Sequence, residues 1–104
     1  MKEIEEYIRS FFRITIKEKD YGFRCSFISD EGEEGYVILK KGKMGWNTKP
    51  IINSPYIITE TYMVGVIQII DLKYKLDETH YEKIKDIIYD IVMGSINDYL
   101  SPDL

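Results

Sequence analysis

Carboxylates are the most numerous side chains in this sequence that could do chemistry, and four of them crowd into the stretch SDEGEEGY. Asp30, Glu31, Glu33 and Glu34 surround Gly32 there. A calcium loop needs carboxylates at alternate positions and a final bidentate Glu, which this spacing does not provide. Tight turns require Gly and Asp for their backbone geometry. The stretch therefore predicts a hairpin tip first, a negative contact surface second and a cation site last.

Nucleophilic chemistry would depend on Cys25 and His80, because the chain contains one residue of each type. A single cysteine on the apolar side of a strand is usually a small core residue, since a reactive thiolate needs a nearby cation or helix N-terminus. His80 is expected to be exposed or to cap a helix, and one His does not indicate zinc. Gly42 and Gly45 match no phosphate-binding fingerprint. We therefore predict no catalytic, metal or cofactor site, and a protein that is not an enzyme.

A second group of acids lies near the C-terminus. Glu82, Asp86 and Asp90 are spaced four residues apart on the polar side of a predicted helix. Each adjacent pair of like charges at this spacing destabilises a helix by about 0.2–0.5 kcal/mol. A solvated helix face is the ordinary explanation. The alternative is an acidic surface that steers a basic partner into contact.

A basic segment with an aromatic residue, KKGKMGWNTKP, lies between the two acidic groups. Single-stranded nucleic acid is bound by cations that hold the backbone and by rings that stack on bases. The residues that would do this are Lys40, Lys41, Lys43, Trp46 and Lys49. The competing interpretation is a lysine-rich loop whose Trp packs on the core.

Composition limits the classes of function. The chain has 104 residues, 44% of them hydrophobic and 31% charged, which predicts one globular domain over residues 1–104. Its net charge of −4 argues against a general nucleic-acid partner. The charge is unevenly distributed, however: residues 30–35 have a net charge of −4, residues 36–59 of +4 and residues 77–98 of −4. One cysteine and the lack of a long apolar segment predict a cytoplasmic protein that does not enter a membrane.

Hydrophobic spacing predicts the first elements. A helical period over residues 2–12 places one apolar stripe on Ile4, Tyr7, Ile8 and Phe11. A period of two follows from residue 13, with turn residues near Gly22 and again in the acidic stretch, so three strands of a meander are expected up to Lys40. A short fourth strand is expected around Trp46.

The last two elements differ in how clearly the sequence specifies them. Residues 56–76 are dense in β-branched residues, which predicts a strand with a bend near Gly65; the alternative is a helical turn at 55–61 before a strand at 63–75. Residues 78–99 predict an amphipathic helix that begins with a Thr79–Glu82 capping box or with Asp77 as the cap. Its apolar stripe consists of Tyr81, Ile84, Ile88, Ile91, Val92 and Tyr99.

These elements predict an α+β fold, with an N-terminal helix, an antiparallel sheet of four or five strands and a C-terminal helix packed on one face. The other sheet face is expected to carry Ile28, Tyr36 or Ile38, Tyr62 and Tyr74, which makes a homodimer or a partner surface plausible.

The functional hypothesis that follows is a small acidic protein-binding module of bacterial or phage type. An inhibitor, an immunity factor or a chaperone-like adaptor would dock on a basic partner through the acidic stretch and the acidic helix face. The alternatives are a nucleic-acid-binding protein that uses the lysine and Trp46 segment, and a self-assembling structural subunit.

Overall fold

A five-stranded antiparallel sheet carries three helices on one of its faces. The computed structural model describes residues 2–42, 49–50 and 56–100. The strands pair in the order β1-β2-β3-β5-β4, and the elements in chain order are α1 (Lys2–Phe11), β1 (Phe12–Lys19), β2 (Gly22–Ser29), β3 (Glu34–Lys41), β4 (Lys49–Pro50), β5 (Tyr56–Tyr62), α2 (Val64–Tyr74) and α3 (Glu78–Leu100). The predicted α+β class, with its two terminal helices and antiparallel sheet, is confirmed.

The β1–β2–β3 meander follows the predicted period of two. Ile16 of β1 lies opposite Cys25 of β2, and Cys25 lies opposite Val37 of β3, so these side chains share one face. The helices pack on that face. Its buried residues are Phe12, Phe23, Cys25, Phe27, Val37, Leu39 and Ile58.

The helices contribute the other half of the same core. In α3 the predicted stripe is confirmed at Ile84, Ile88, Ile91 and Val92, which are fully buried. Tyr99 is 43% exposed, although its ring contacts Phe23 at 5.3 Å between centroids. Burying one aliphatic side chain stabilises a fold by about 1.5–3 kcal/mol. The remaining helical core residues are Ile4 and Ile8 of α1, Val66 and Ile70 of α2 and Ile96 of α3.

Asp77 caps the N-terminus of α3. Its Oδ1 accepts a hydrogen bond from the Thr79 backbone N–H at 3.0 Å and lies 2.8 Å from Nδ1 of His80. An N-cap carboxylate satisfies a backbone donor that the helix itself leaves without a partner. Of the two expected caps, the structure therefore has Asp77.

The prediction for residues 56–76 is correct for its first half and wrong for its second. Residues Tyr56–Tyr62 form β5, which excludes a helical turn at 55–61, but Val64–Tyr74 form α2 in place of a strand at 63–75. Five β-branched residues weaken a helix by up to about 0.7 kcal/mol each. Burial of Val66 and Ile70, four residues apart, outweighs that penalty. The expected strand around Trp46 lies outside the described residues.

Gly35 lets α2 lie close to the sheet. A Cβ at Gly35 would be 2.7 Å from Cγ2 of Val66 and 2.8 Å from Sδ of Met63, so only glycine leaves room for these side chains. Met63, Val66 and Ile70 are all buried there. The position of α2 is therefore fixed by a contact between residues far apart in the chain.

Candidate binding surfaces

The acidic tip, which we define as Asp30, Glu31, Glu33 and Glu34, is built as a tight hairpin turn. The Gly32 N–H donates to the Ser29 carbonyl at 3.0 Å, and the Ser29 N–H donates to the Glu33 carbonyl at 2.9 Å. Gly32 has a φ of +90°, a left-handed backbone that glycine adopts without strain. These features are typical of a three-residue hairpin loop with a bulge. The predicted hairpin tip is confirmed.

One carboxylate of the acidic tip forms an ion pair inside the molecule, and a second lies against α2. Oε1 of Glu34 lies 2.8 Å from Nη2 of Arg24. Oε2 of Glu33 lies only 2.5 Å from the place where a Cβ of Gly65 would be, against the first turn of α2. This leaves Asp30 and Glu31 as the exposed acids that make none of these contacts.

The acidic row, defined as Glu82, Asp86 and Asp90, lies on the exposed side of α3. Oε1 of Glu82 is 3.6 Å from Nζ of Lys85, and both side chains are largely exposed. A surface ion pair of this kind contributes about 0–1 kcal/mol, so it neutralises the charge of Glu82 only weakly. The row presents negative charge along about two turns of the helix.

A cleft of about 300 Å³ opens between α2 and the start of α3. We call it the α2–α3 cleft; its lining residues are Val64, Ile67, Gln68, Asp71 and Tyr81. Most of its surface is apolar, with one carboxylate from Asp71. Val64 is 56% exposed and Leu72, on the same helix, is 82% exposed. Both side chains are accessible to a partner.

The sheet face away from the helices is the open face. The strand register places Tyr36 opposite Tyr62 and Ser26 opposite both Thr15 and Tyr36. Ile28 and Ile38 also lie on the open face, as expected. Tyr74 does not, because it belongs to α2 and its ring lies 5.7 Å from that of Tyr7.

Charge is divided between the two sides of the molecule. The helices carry nine acidic and five basic residues. By strand alternation, the described part of the open face carries five basic residues, Arg13, Lys17, Lys19, Arg24 and Lys40, and two acidic ones, Glu34 and Glu60. An acidic chain therefore has one net positive face, which total charge alone does not reveal.

Cys25 and His80, the two residues considered for nucleophilic chemistry, both have structural roles. Cys25 is completely buried, and burial raises the pKa of its thiol to about 12. The exposed carboxyl of Asp77 has a lowered pKa, first because Thr79 donates a hydrogen bond to it and then because His80 does. Cys25 is thus a core residue and His80 belongs to a helix cap, as the sequence indicates.

The lysine and Trp46 segment is only partly described. Lys40 and Lys41 are exposed at the end of β3, whereas Lys43 and Trp46 lie outside the described residues. Lys49 forms part of β4. The structure therefore does not test whether these residues form one surface.

Within residues 2–42, 49–50 and 56–100, no group of three His, Cys, Asp or Glu side chains is arranged to hold a metal ion. In the same part of the chain, no helix has the length and apolar composition needed to span a bilayer.

Searches for related proteins gave no match among family models, curated proteins or solved structures. Function must therefore be inferred from the surfaces themselves. Sequence analysis did not identify the α2–α3 cleft, because α2 was expected to be a strand. It also did not identify Arg24, whose partners become clear only from the strand register.

Proposed function

We propose that the protein is a non-enzymatic binding module of the inhibitor, immunity or adaptor kind, which docks its helices on a basic surface of a partner protein. The observation that carries this proposal is the α2–α3 cleft, whose lining includes the exposed Val64. Tyr81 of α3 lines the cleft, and Glu82, the next residue, begins the acidic row farther round the same helix. Apolar contact and negative charge are thus both available on the helical side of the molecule.

The lining of the cleft supports a partner of one chemical kind. Its apolar lining suits an aliphatic or aromatic side chain, and Asp71 suits a Lys or Arg next to that side chain. Burying Val64 or Leu72 against a partner would contribute about 1.5–3 kcal/mol each. Exposed ion pairs contribute about 0–1 kcal/mol each. The apolar contact therefore supplies affinity, and the acidic row mainly raises the association rate.

The acidic tip has a smaller part in this proposal. Asp30 and Glu31 are secondary contact points, since both are exposed. Glu33 and Glu34 would have to leave Gly65 and Arg24 before they could bind a partner. Reversing their charges would disturb the fold as well as the contact.

The proposal includes a reducing cytoplasm as the working location, which suits a single buried thiol. A homodimer and a self-assembling structural subunit are the alternatives, and in both the partner is a second copy of the chain. Light scattering at high protein concentration tests both alternatives, because a monomer contradicts each of them.

The test is affinity capture from the native cytoplasm at low and high salt, with quantitative mass spectrometry. The wild type is compared with Glu82→Lys/Asp86→Lys/Asp90→Lys and with Leu72→Asp. A matched control, Glu3→Lys/Glu6→Lys/Asp98→Lys, changes the net charge equally at other exposed positions. A specific partner must be lost with the first two variants and kept with the control. Equal loss with all three, or with none, contradicts the proposal.

A further inference from the structure

One row of the open face consists entirely of hydroxyl-bearing side chains. Thr15 of β1, Ser26 of β2, Tyr36 of β3 and Tyr62 of β5 lie opposite one another across four neighbouring strands. With strands about 4.8 Å apart, the row is about 14 Å long. Ser26 is only 5% exposed, and its Oγ accepts a hydrogen bond from Nε of Arg24 at 3.4 Å. The accessible part of the row is therefore Thr15 and the two tyrosine rings, with the Arg24 side chain at Ser26 between them.

The aromatic end of this row is a preassembled stack. The rings of Tyr36 and Tyr62 lie 5.6 Å apart at an angle of 24°. The guanidinium carbon of Arg24 lies 4.1 Å above the Tyr36 ring. We call these three residues the tyrosine stack. Tyr62 is 49% exposed, and one side of its ring faces Tyr36, which leaves the stack open at the Tyr62 end.

Cations border the β1–β2 end of the hydroxyl row on both sides, while the acids Glu60 and Glu34 border its tyrosine end. Lys17 and Arg24 lie opposite each other in the adjacent row, and Arg13 lies two residues from Thr15 on the other side. Phosphates along a strand could be held by these side chains while a base continues the tyrosine stack. Cation–ring combinations of this kind bind single strands with little sequence preference.

We propose that the open face is a second binding site, for a short single-stranded nucleic acid. The strand would follow the hydroxyl row, with a base stacked on Tyr62 and phosphates bound by Arg13, Lys17 and Arg24. Net positive charge on this face supplies the attraction that the whole chain, with its charge of −4, lacks. The site is separate from the helix surface described above, and its existence does not depend on that surface.

Glu34 would compete with a bound nucleic acid for the side chain of Arg24. Its carboxylate accepts a hydrogen bond from Arg24 at 2.8 Å, as a phosphate oxygen would. A bound strand has to compete with Glu34 for the guanidinium. Removing the Glu34 charge should therefore strengthen binding. If the Arg24–Glu34 ion pair were only structural, removing that charge would not strengthen binding.

The direct test is fluorescence anisotropy with a labelled oligothymidylate of about 10 nucleotides, at about 50 mM and about 200 mM salt. We expect saturable binding at the lower salt and much weaker binding at the higher. Tyr62→Ala should weaken binding about tenfold, whereas Tyr62→Phe keeps the ring and should bind like the wild type. Tyr21→Ala, an exposed tyrosine in the β1–β2 turn, is the matched control and should have no effect.

A second pair of variants separates local from overall charge. Glu34→Gln should bind about two- to fivefold more tightly, because it releases Arg24. Glu31→Gln removes the same charge from the acidic tip without touching Arg24 and should change binding much less. Circular dichroism verifies that each variant is folded.

The proposal is overturned if the wild type gives no anisotropy change at low salt, or if Tyr62→Ala binds as well as Tyr62→Phe. It is also overturned if Glu34→Gln and Glu31→Gln strengthen binding equally. If sedimentation shows a dimer that Tyr62→Ala dissociates, the open face is occupied by a second copy and the proposed ligand is wrong.

Discussion

The carboxylate of Glu33 lies against Gly65, where a side chain on Gly65 would collide with it. The helix that begins there, α2, has no acidic residue in its first turn and no side-chain cap at Met63. A negative charge near a helix N-terminus is stabilising because the backbone N–H groups carry partial positive charge. The hairpin thus supplies the charge that the sequence of α2 lacks.

Neutralising Glu33 should therefore destabilise the protein. We expect Glu33→Gln to lower the free energy of unfolding by about 0.3–1 kcal/mol. Chemical denaturation at low salt measures this. Asp30→Asn in the same turn is the control; an equal loss there would mean that the tip acts only through overall charge.

Lys75 is a position where glycine should improve the fold. It follows α2 in the left-handed conformation, with φ 52°, and its N–H donates to the Asp71 carbonyl. A side chain in this conformation is disfavoured by roughly 1–2 kcal/mol, so Lys75→Gly should raise the melting temperature. Lys73→Gly, within the helix, should lower it. A lower melting temperature for Lys75→Gly would contradict this geometry.

Two glycine-to-alanine substitutions should have opposite effects. Gly35→Ala places a methyl group against Val66 and Met63 and should destabilise the fold by about 1–3 kcal/mol. Gly94→Ala, in α3, meets no atom within 4 Å and should stabilise the protein by up to about 1 kcal/mol. Urea unfolding of both variants measures the difference. A neutral Gly35→Ala would show that α2 does not lie so close to β3.

Cys25 should be inert in the folded protein. A thiol with a pKa of about 12 contains almost no thiolate at neutral pH, so a disulfide reagent should react only after unfolding in urea. Because the folded pKa is above the unfolded value of about 8.5, its contribution to stability is complete below that pH and declines as pH rises towards the folded pKa.

That linkage can be measured between pH about 8.5 and 10 as a difference between two variants, because tyrosine ionisation near pH 10 is common to both. The free energy of unfolding of the wild type should fall with pH more steeply than that of Cys25→Ala, by up to about 1.4 kcal/mol per pH unit. Parallel curves, or rapid labelling of the folded chain, would contradict the burial of this thiol.

The parts of the fold that sequence predicts well are those in which one local period persists. Residues 2–11, the meander and α3 each repeat one spacing over several turns or strands. In α2, Val64 and Leu72 are apolar but exposed, so its composition does not reveal a buried stripe. Its position depends on the fit of Val66 over Gly35, thirty-one positions earlier in the chain. Local propensity contains no information about that contact.

The same reason explains what was missed in the candidate sites. The sequence shows the acidic tip as four equivalent carboxylates, yet Glu34 pairs with Arg24 and Glu33 lies against Gly65. Neither Arg24 nor Gly65 is adjacent to the tip in sequence. The acidic row of α3, whose spacing lies within one helix, is exposed as the helical period predicts.

The packing of α3 across the sheet has a consequence for synthesis on the ribosome. Until Glu78–Leu100 have emerged, α1 lacks the residues of α3 that complete its core contacts, and Phe23 lacks the ring of Tyr99. Non-local contacts of this kind delay productive folding and leave apolar surface open to aggregation. A nascent chain stalled before residue 78 should therefore recruit chaperones, and a chain that includes α3 should recruit fewer.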